Sequence, residues 1–102
     1  MRFGNALEAL HQGKRVQRVS WLRGTFVFMQ VPSVINREIV PKMQSLPQSV
    51  KDEFERRFNN SAEQINAIYY DNQLAIVDPS NRIAGWSPST TDALAVDWVV
   101  LD

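Results

Sequence analysis

The chain contains no cysteine and only one histidine, His11, among its 102 residues. Without cysteine it forms neither disulfides nor thiolate metal sites, and one histidine excludes a multi-histidine metal centre within one chain. It also lacks a signal-peptide pattern and any apolar run near the roughly 20 residues that a membrane span needs. These absences predict a cytoplasmic protein that has no metal or other cofactor and no membrane partner.

The chain also has no net charge, because 11 basic residues balance 11 acidic ones. We therefore expect no general attraction to nucleic acid polymers or membrane surfaces. The charges are unevenly placed, since residues 1–25 carry five basic side chains and one acidic, whereas residues 84–102 carry three aspartates and no basic residue. Two interpretations stay open: the two ends pair across a sheet, or the arginines line a pocket for phosphate.

The sequence motifs of common enzymes are missing as well. There is no Gly-rich phosphate loop, no nucleophile elbow and no Cys/His constellation. Hydrolysis of a phosphodiester generally requires a metal or a histidine pair, and Asp92 and Asp97 are spaced off one helical face. We expect no catalytic residue and no enzyme, with a small nucleotide hydrolase as the alternative to exclude.

The residues that are present predict one α+β domain over 1–102, built around an antiparallel sheet. Apolar spacing predicts a short amphipathic helix over 3–12 and a charged helix over 47–59. Residues 32–45 read as a less regular region, Asp71-Asn72 as a tight turn, and residues 93–96 as a short helical run. Strands are predicted, from β-branched and aromatic content, at 15–18, 26–31, 65–70, 73–77, 83–87 and 98–101.

The stretch from Gly85 to Trp98 contains the densest group of candidate binding residues. Ser89 and Asp92 fit a helix N-terminal capping box, and Thr90 and Thr91 add two adjacent hydroxyls beside Trp86. A capping box alone explains one hydroxyl and one acid without any ligand. The whole combination also suits a polar, ring-bearing ligand, including an anionic one.

Aromatic and basic residues near the N-terminus are the other binding candidates. Trp21 precedes a glycine turn, and a tryptophan face can stack a base, although a core position is the alternative for Trp21 as for Trp86. Arg18 and Arg23 are the arginines best placed near Trp21 to clamp a phosphate, unless they are simply solvated. Phe3, at the first helix, packs either beneath a ligand or into the core, and Trp98 is expected in the core.

Both ends of the chain resemble small phage and prophage proteins of the second Thoeris anti-defence family. The closing match comprises Trp86, Ser89, Thr91, Asp92, Leu94, Asp97 and Trp98. The opening match is Phe3-Gly4-x-Ala6-Leu7-Glu8-Ala9-Leu10-x-x-Gly13-Lys14-x-Val16-x-Arg18, followed by Trp21.

This resemblance implies a non-enzymatic sponge that acts in the cytoplasm of the infected bacterial host. Such proteins bind cyclic ADP-ribose-type messengers, here of the glycocyclic ADP-ribose type, and hold them without cleavage. They are homotetramers with pockets between protomers, and some also bind cyclic dinucleotides at a separate site. On this basis the expected ligand-binding residues are Phe3, Arg18, Trp21, Arg23, Trp86, Ser89, Thr90, Thr91 and Asp92.

The middle segment, about 36–60, is longer than the loop that the resemblance leads us to expect. It contains the predicted 47–59 helix, which a minimal ligand pocket does not require. The alternative function is therefore a phage protein–protein adaptor that docks a host factor through this helix.

Overall fold

The computed structural model describes residues 1–60 and 64–101. Two compact units are present: a larger unit of Met1–Val31 with Asn72–Asp102, and a smaller unit of Pro32–Asp71. The described elements confirm an α+β architecture with three α-helices and two antiparallel sheets. Within the described residues, every helix is too short or too polar to span a bilayer.

The helices are α1 (Phe3–His11), α2 (Gln48–Asn60) and α3 (Thr90–Leu94), with a 3-10 turn at Val40–Lys42. The strands are β1 (Arg15–Arg18), β2 (Phe26–Gln30), β3 (Ser33–Asn36), β4 (Ala67–Tyr70), β5 (Gln73–Val77), β6 (Ile83–Gly85) and β7 (Trp98–Leu101).

In the larger unit, five strands form one sheet in the order β6-β5-β2-β1-β7. Neighbouring strands are antiparallel, and β1 pairs with β7 so that Arg18 lies opposite Trp98 and Val16 opposite Val100. This pairing brings the beginning of the chain against its end. The capped helix α3, directly before β7, therefore lies near the end of β1.

The core of this unit lies between α1 and one face of the sheet. Its buried residues are Ala6, Ala9, Leu10, Val16, Val27 and Trp98. α1 ends in a Schellman motif, in which Gly13 takes a φ of 82° and Lys14 N–H donates to the Ala9 carbonyl at 3.1 Å. Glycine suits this left-handed position because it has no Cβ, so the chain can turn sharply from α1 into β1.

The smaller unit has its own apolar cluster. Val40, Phe58 and Ile68 are its buried members, and partly buried apolar residues including Phe54 pack around them. The predicted helix over 47–59 is confirmed as α2, at Gln48–Asn60. The Asn59-Asn60-Ser61 stretch is typical of a helix break, but Asn59 and Asn60 belong to α2, and Ser61 lies outside the described residues.

Two sequence predictions in this region are wrong. Residues 32–45 are not wholly irregular, because Ser33–Asn36 forms β3 directly after Pro32, where a proline blocks no ladder hydrogen bond within the strand. Asp71-Asn72 is not a hairpin turn, because β4 pairs with β3 whereas β5 pairs with β2 and β6. The β-branched residues Val34 and Ile35 lie in the strand that pairs with β4 in place of β5.

Three elements have bounds that differ from the predictions by two residues or more. β4 begins at Ala67 rather than 65, and β6 ends at Gly85 rather than 87. The short C-terminal helix spans Thr90–Leu94 rather than 93–96. It begins earlier because Ser89 is its N-cap, and it ends earlier because Ala95 is extended, with a ψ of 150°.

Candidate functional site

Four aromatic rings gather at one end of the larger unit's core. Trp98 is fully buried at the centre, which confirms its predicted core position. Its ring centroid lies 5.2 Å from that of Trp21, 5.3 Å from Phe3 and 6.0 Å from Trp86. Edge and tilted contacts of this kind are favourable for aromatic pairs, so the buried ring supports three partly exposed ones.

An open groove of about 280 Å³ lies against two of these rings. Its lining residues are Trp21, Leu22, Thr25, Ile76, Trp86 and Asp92. The centroids of Trp21 and Trp86 are 6.1 Å apart, with an interplanar angle of 78°. Both indoles are half-buried, so aromatic surface is presented to the groove while the rest of each ring is held by the core.

Local backbone bonds position the two groove tryptophans. Trp21 N–H donates to the Arg18 carbonyl at 3.0 Å, which turns the chain at the end of β1. Trp86 N–H donates to the Leu74 carbonyl at 2.9 Å, which extends the β5–β6 pairing past Gly85. Both indoles are therefore placed by backbone bonds at strand ends, a firmer support than a free loop provides.

The capping box predicted at α3 is confirmed. Ser89 Oγ accepts from Asp92 N–H, and Asp92 Oδ2 accepts from Ser89 N–H, both at 3.1 Å. The Asp92 carbonyl also accepts from Trp98 Nε1 at 2.9 Å. This one residue thus joins the helix cap, the buried tryptophan and the groove.

Arg18 links the end of β1 to both C-terminal aspartates. Its Nη1 lies 3.1 Å from Asp92 Oδ1, and its Nε lies 2.9 Å from Asp97 Oδ1. Of the two interpretations of the charged ends, pairing across the sheet is confirmed for Arg18. The third aspartate of that pattern, Asp102, lies outside the described residues.

The ion pairs keep both carboxylates charged. Burial alone would raise the pKa of Asp92, but hydrogen bonds from Ser89 and the nearby Arg18 outweigh burial and lower it below its usual 3.8. Arg18 is the main cause that lowers the pKa of Asp97. The groove therefore contains a carboxylate that is ionised at neutral pH.

The nine predicted ligand residues fall into four groups. Trp21, Trp86 and Asp92 meet in the groove. Phe3 supports the rings and also lines a separate cavity of about 400 Å³ with Arg2, Gly4 and residues 93–96. Ser89 is engaged in the cap and Arg18 in ion pairs, whereas Arg23, Thr90 and Thr91 are exposed and are not among the groove-lining residues.

Sequence reasoning missed three groove residues: Leu22, Thr25 and Ile76. Leu22 and Thr25 close the turn after Trp21, where Thr25 N–H donates to the Leu22 carbonyl at 3.1 Å. The glycine turn predicted there is the signal that could have found them. Ile76 lies on β5 opposite Val27, and this long-range register cannot be read from one sequence.

The described part of the chain holds no group of three or more His, Asp or Glu residues suited to a metal ion. What the site offers is aromatic surface, one hydroxyl and one carboxylate held by a fixed hydrogen-bond network. These groups can bind a flat ring and accept hydrogen bonds from its edge.

Comparison with known proteins identifies the family of the chain. The family model described as the Thoeris anti-defense 2-like domain matches residues 1–101. The chain is also similar to "Thoeris anti-defense 2" of Bacillus phage SP01, with 33% identity over 101 residues, covering 99% of this chain and 94% of that protein. The resemblance found in the two terminal motifs thus extends over the whole fold, and the chain belongs to the Thoeris anti-defense 2-like family.

Proposed function

We propose that this protein inhibits bacterial Thoeris defence by binding a cyclic ADP-ribose-type messenger and holding it without cleavage. The family and the name of the phage SP01 relative support action against Thoeris defence. The observation that carries the binding proposal is the groove in which Trp21 and Trp86 flank an ionised Asp92. Its expected place of action is the cytoplasm of the infected bacterial host.

The groove chemistry fits the ring-bearing part of such a messenger. Stacking a base on an aromatic side chain contributes about 1–3 kcal/mol. Asp92 and Thr25 add hydrogen-bonding groups at the groove wall, and Leu22 and Ile76 add apolar surface. This combination of groups can stack against a ring and form hydrogen bonds with the polar atoms at its edge.

The size of the groove supports a site completed by another protomer. At about 280 Å³ it lies at the lower limit of the roughly 300–1,000 Å³ typical of small-molecule sites, and it is open to solvent. Tight capture requires that most of the ligand be buried. We therefore propose a homotetramer with pockets between protomers, in line with the resemblance, and size-exclusion chromatography with light scattering tests this assembly.

Sequestration requires that the messenger be recovered unchanged. The purified protein is incubated with glycocyclic ADP-ribose, freed of unbound ligand by filtration, heated, and the released material is analysed by liquid chromatography–mass spectrometry. We expect intact messenger at a stoichiometric yield. A cleaved product would identify a hydrolase and contradict the proposal, and no retained nucleotide would remove the messenger as ligand.

Cyclic dinucleotides form a second ligand class in the proposal, because the resemblance implies a separate site for them in some relatives. The same filtration assay with a cyclic dinucleotide, alone and together with glycocyclic ADP-ribose, tests this point. Separate sites predict that each ligand is retained at the same yield in the presence of the other. Mutual displacement would indicate one shared site.

The adaptor alternative stays a hypothesis centred on α2, and the structure gives it little support. Phe54 and Phe58 of its apolar stripe pack into the smaller unit's own core. Its Glu53 is paired with Arg56 and Arg57 of the same helix. A pull-down from host lysate with and without residues 47–59 tests the adaptor function.

A further inference from the structure

The groove lining has an unusual charge for a nucleotide site. Asp92 is the one ionisable group among its six lining residues, and neither lysine nor arginine is among them. Phosphates are usually bound by guanidinium groups, ammonium groups or helix N-termini. A phosphate placed in this groove would instead face a carboxylate.

Asp92 has hydrogen-bonding capacity left for a ligand. Its Oδ1 accepts from Arg18 and its Oδ2 from the Ser89 backbone, and its side chain remains 16% exposed. An ionised carboxylate offers about four acceptor positions, so these two bonds do not exhaust it. The oxygens can still accept from an N–H or O–H group in the groove.

The hydrogen bonds of Arg18 suit a residue that holds Asp92 in place and not one that binds a ligand phosphate directly. Its guanidinium donates through Nε to Asp97 and through Nη1 to Asp92, and the side chain is 18% exposed. The cluster holds two negative charges and one positive charge, so it has no excess positive charge to attract phosphate. Arginine suits this bridge because its planar fork presents donors in fixed directions.

We propose that Arg18 is a positioning residue that holds the Asp92 carboxylate at the groove as a hydrogen-bond acceptor. The groove then receives the donor-bearing edge of a nucleobase or ribose, and the phosphates of the messenger lie outside it. This inference rests on the proposed function for the identity of the ligand. It assigns Arg18 a role different from the phosphate clamp expected from the sequence.

The first test needs no ligand, because the backbone carbonyl of Asp92 accepts from the buried Trp98 indole and Asp92 lines the groove together with Trp21 and Trp86. Near-ultraviolet circular dichroism reports the packing of the aromatic rings in wild type, Arg18→Gln, Asp92→Asn and the double variant. If Arg18 acts through Asp92, Arg18→Gln changes the tryptophan signal in the wild-type background and adds little in the Asp92→Asn background. An unchanged signal in Arg18→Gln would overturn the positioning role.

The second test is a double-mutant cycle on the affinity for glycocyclic ADP-ribose, measured by calorimetry. We expect Arg18→Gln and Asp92→Asn each to weaken binding about tenfold, and the double variant to bind no more weakly than Asp92→Asn. A direct phosphate clamp predicts that the two penalties multiply, which would overturn the inference. If wild type binds no messenger, the proposed function fails, and the dichroism cycle still decides the role of Arg18.

Three further variants separate positioning from charge, from stability and from side-chain geometry. Arg82→Gln removes one positive charge from an exposed residue of the same unit and should leave the affinity unchanged. Asp97→Asn removes the other partner of Arg18 but leaves its bond to Asp92. The melting temperature should therefore fall, while the affinity for the messenger stays close to that of wild type. Arg18→Lys keeps the charge but loses the two-armed geometry, and it should rescue binding only in part. Full rescue by lysine would contradict the requirement for the fork.

Discussion

The two units of this protein use the same kind of ion pair for different purposes. In the larger unit, Arg18 pairs with Asp92 and Asp97, which lie 74 and 79 positions further along the chain. All three side chains are at most 32% exposed. In the smaller unit the ion pairs have a shorter reach and are more exposed. Glu53 pairs with Arg56 and Arg57 one turn along α2, with side chains 41–63% exposed, and Arg37 pairs with Glu55 18 positions away, with side chains 31% and 52% exposed. Exposed ion pairs contribute little to stability, whereas breaking a largely buried pair is costly because it leaves a charge without its partner.

The hydrophobic cores of the two units also differ in the side chains that they bury. The larger unit surrounds a fully buried Trp98 with three aromatic rings, two of which line the groove. The smaller unit has an aliphatic and phenylalanine cluster around Val40. The tryptophan groove thus belongs to the larger unit, whereas the smaller unit has a cavity of about 230 Å³ whose aromatic lining residues are Phe54, Phe58 and Tyr69. The following substitutions test that division.

The largest effect is expected for Trp98→Ala. Removing a buried tryptophan costs about 3–5 kcal/mol, and here it also leaves Trp21, Trp86 and Phe3 without their central contact. The melting temperature, followed by circular dichroism, should fall by more than about 10 °C. Val19→Ala, at a residue that is 66% exposed, is the control and should change it by only a few degrees. A Trp98 variant as stable as this control would mean that the aromatic cluster does not organise the unit.

An intermediate, pH-dependent effect is expected for Arg18→Gln. The pKa values of Asp92 and Asp97 are lowered in the folded protein, so their ionised forms stabilise it. This contribution is complete above their ordinary pKa of 3.8 and is lost as the pH falls through the lower folded-state values. Urea unfolding should therefore show a stability gap between wild type and Arg18→Gln at neutral pH that narrows in acid. A gap that is constant with pH would show that the aspartates are not its source.

The smallest effect is expected for Glu53→Gln. Hydrogen bonds from Arg56 and Arg57 lower the pKa of Glu53 to about 2, but the pairs are exposed and screened by salt. The melting temperature should change by only a few degrees, less than in Arg18→Gln, and the difference should shrink at high salt. An NMR titration of the carboxyl group should find its midpoint well below the ordinary 4.5. A loss of stability equal to that of Arg18→Gln would remove the contrast between the two units.

Much of the larger unit could be predicted from the sequence. The strands at Arg15–Arg18, Gln73–Val77 and Trp98–Leu101 match their predicted bounds, because alternation and β-branched content are local signals. The Ser89–Asp92 capping box could be predicted in the same way, since it depends on residues three positions apart. Local patterns therefore located most of the elements and one wall of the site.

What the sequence could not supply was pairing between distant elements. The partner of β4 is the unexpected β3, so the tight turn assumed at residues 71–72 was wrong. Ile76 enters the groove only through the register of β5 against β2. Arg18 was expected near a phosphate because nothing local shows that two distant aspartates engage it. Each miss has one cause: the deciding contact spans a long stretch of chain.

The central claim is that the Trp21–Trp86 groove of the larger unit is where the messenger is captured. Isothermal titration calorimetry of glycocyclic ADP-ribose into wild type, Trp86→Ala and Tyr69→Ala tests it most directly. Tyr69 is an aromatic residue of the smaller unit, 66% exposed and not among the groove-lining residues, so it serves as the matched control. We predict tight binding by wild type and Tyr69→Ala and a loss of about tenfold or more in Trp86→Ala, as expected when a stacking face is removed. Undiminished binding by a folded Trp86→Ala protein would contradict the account.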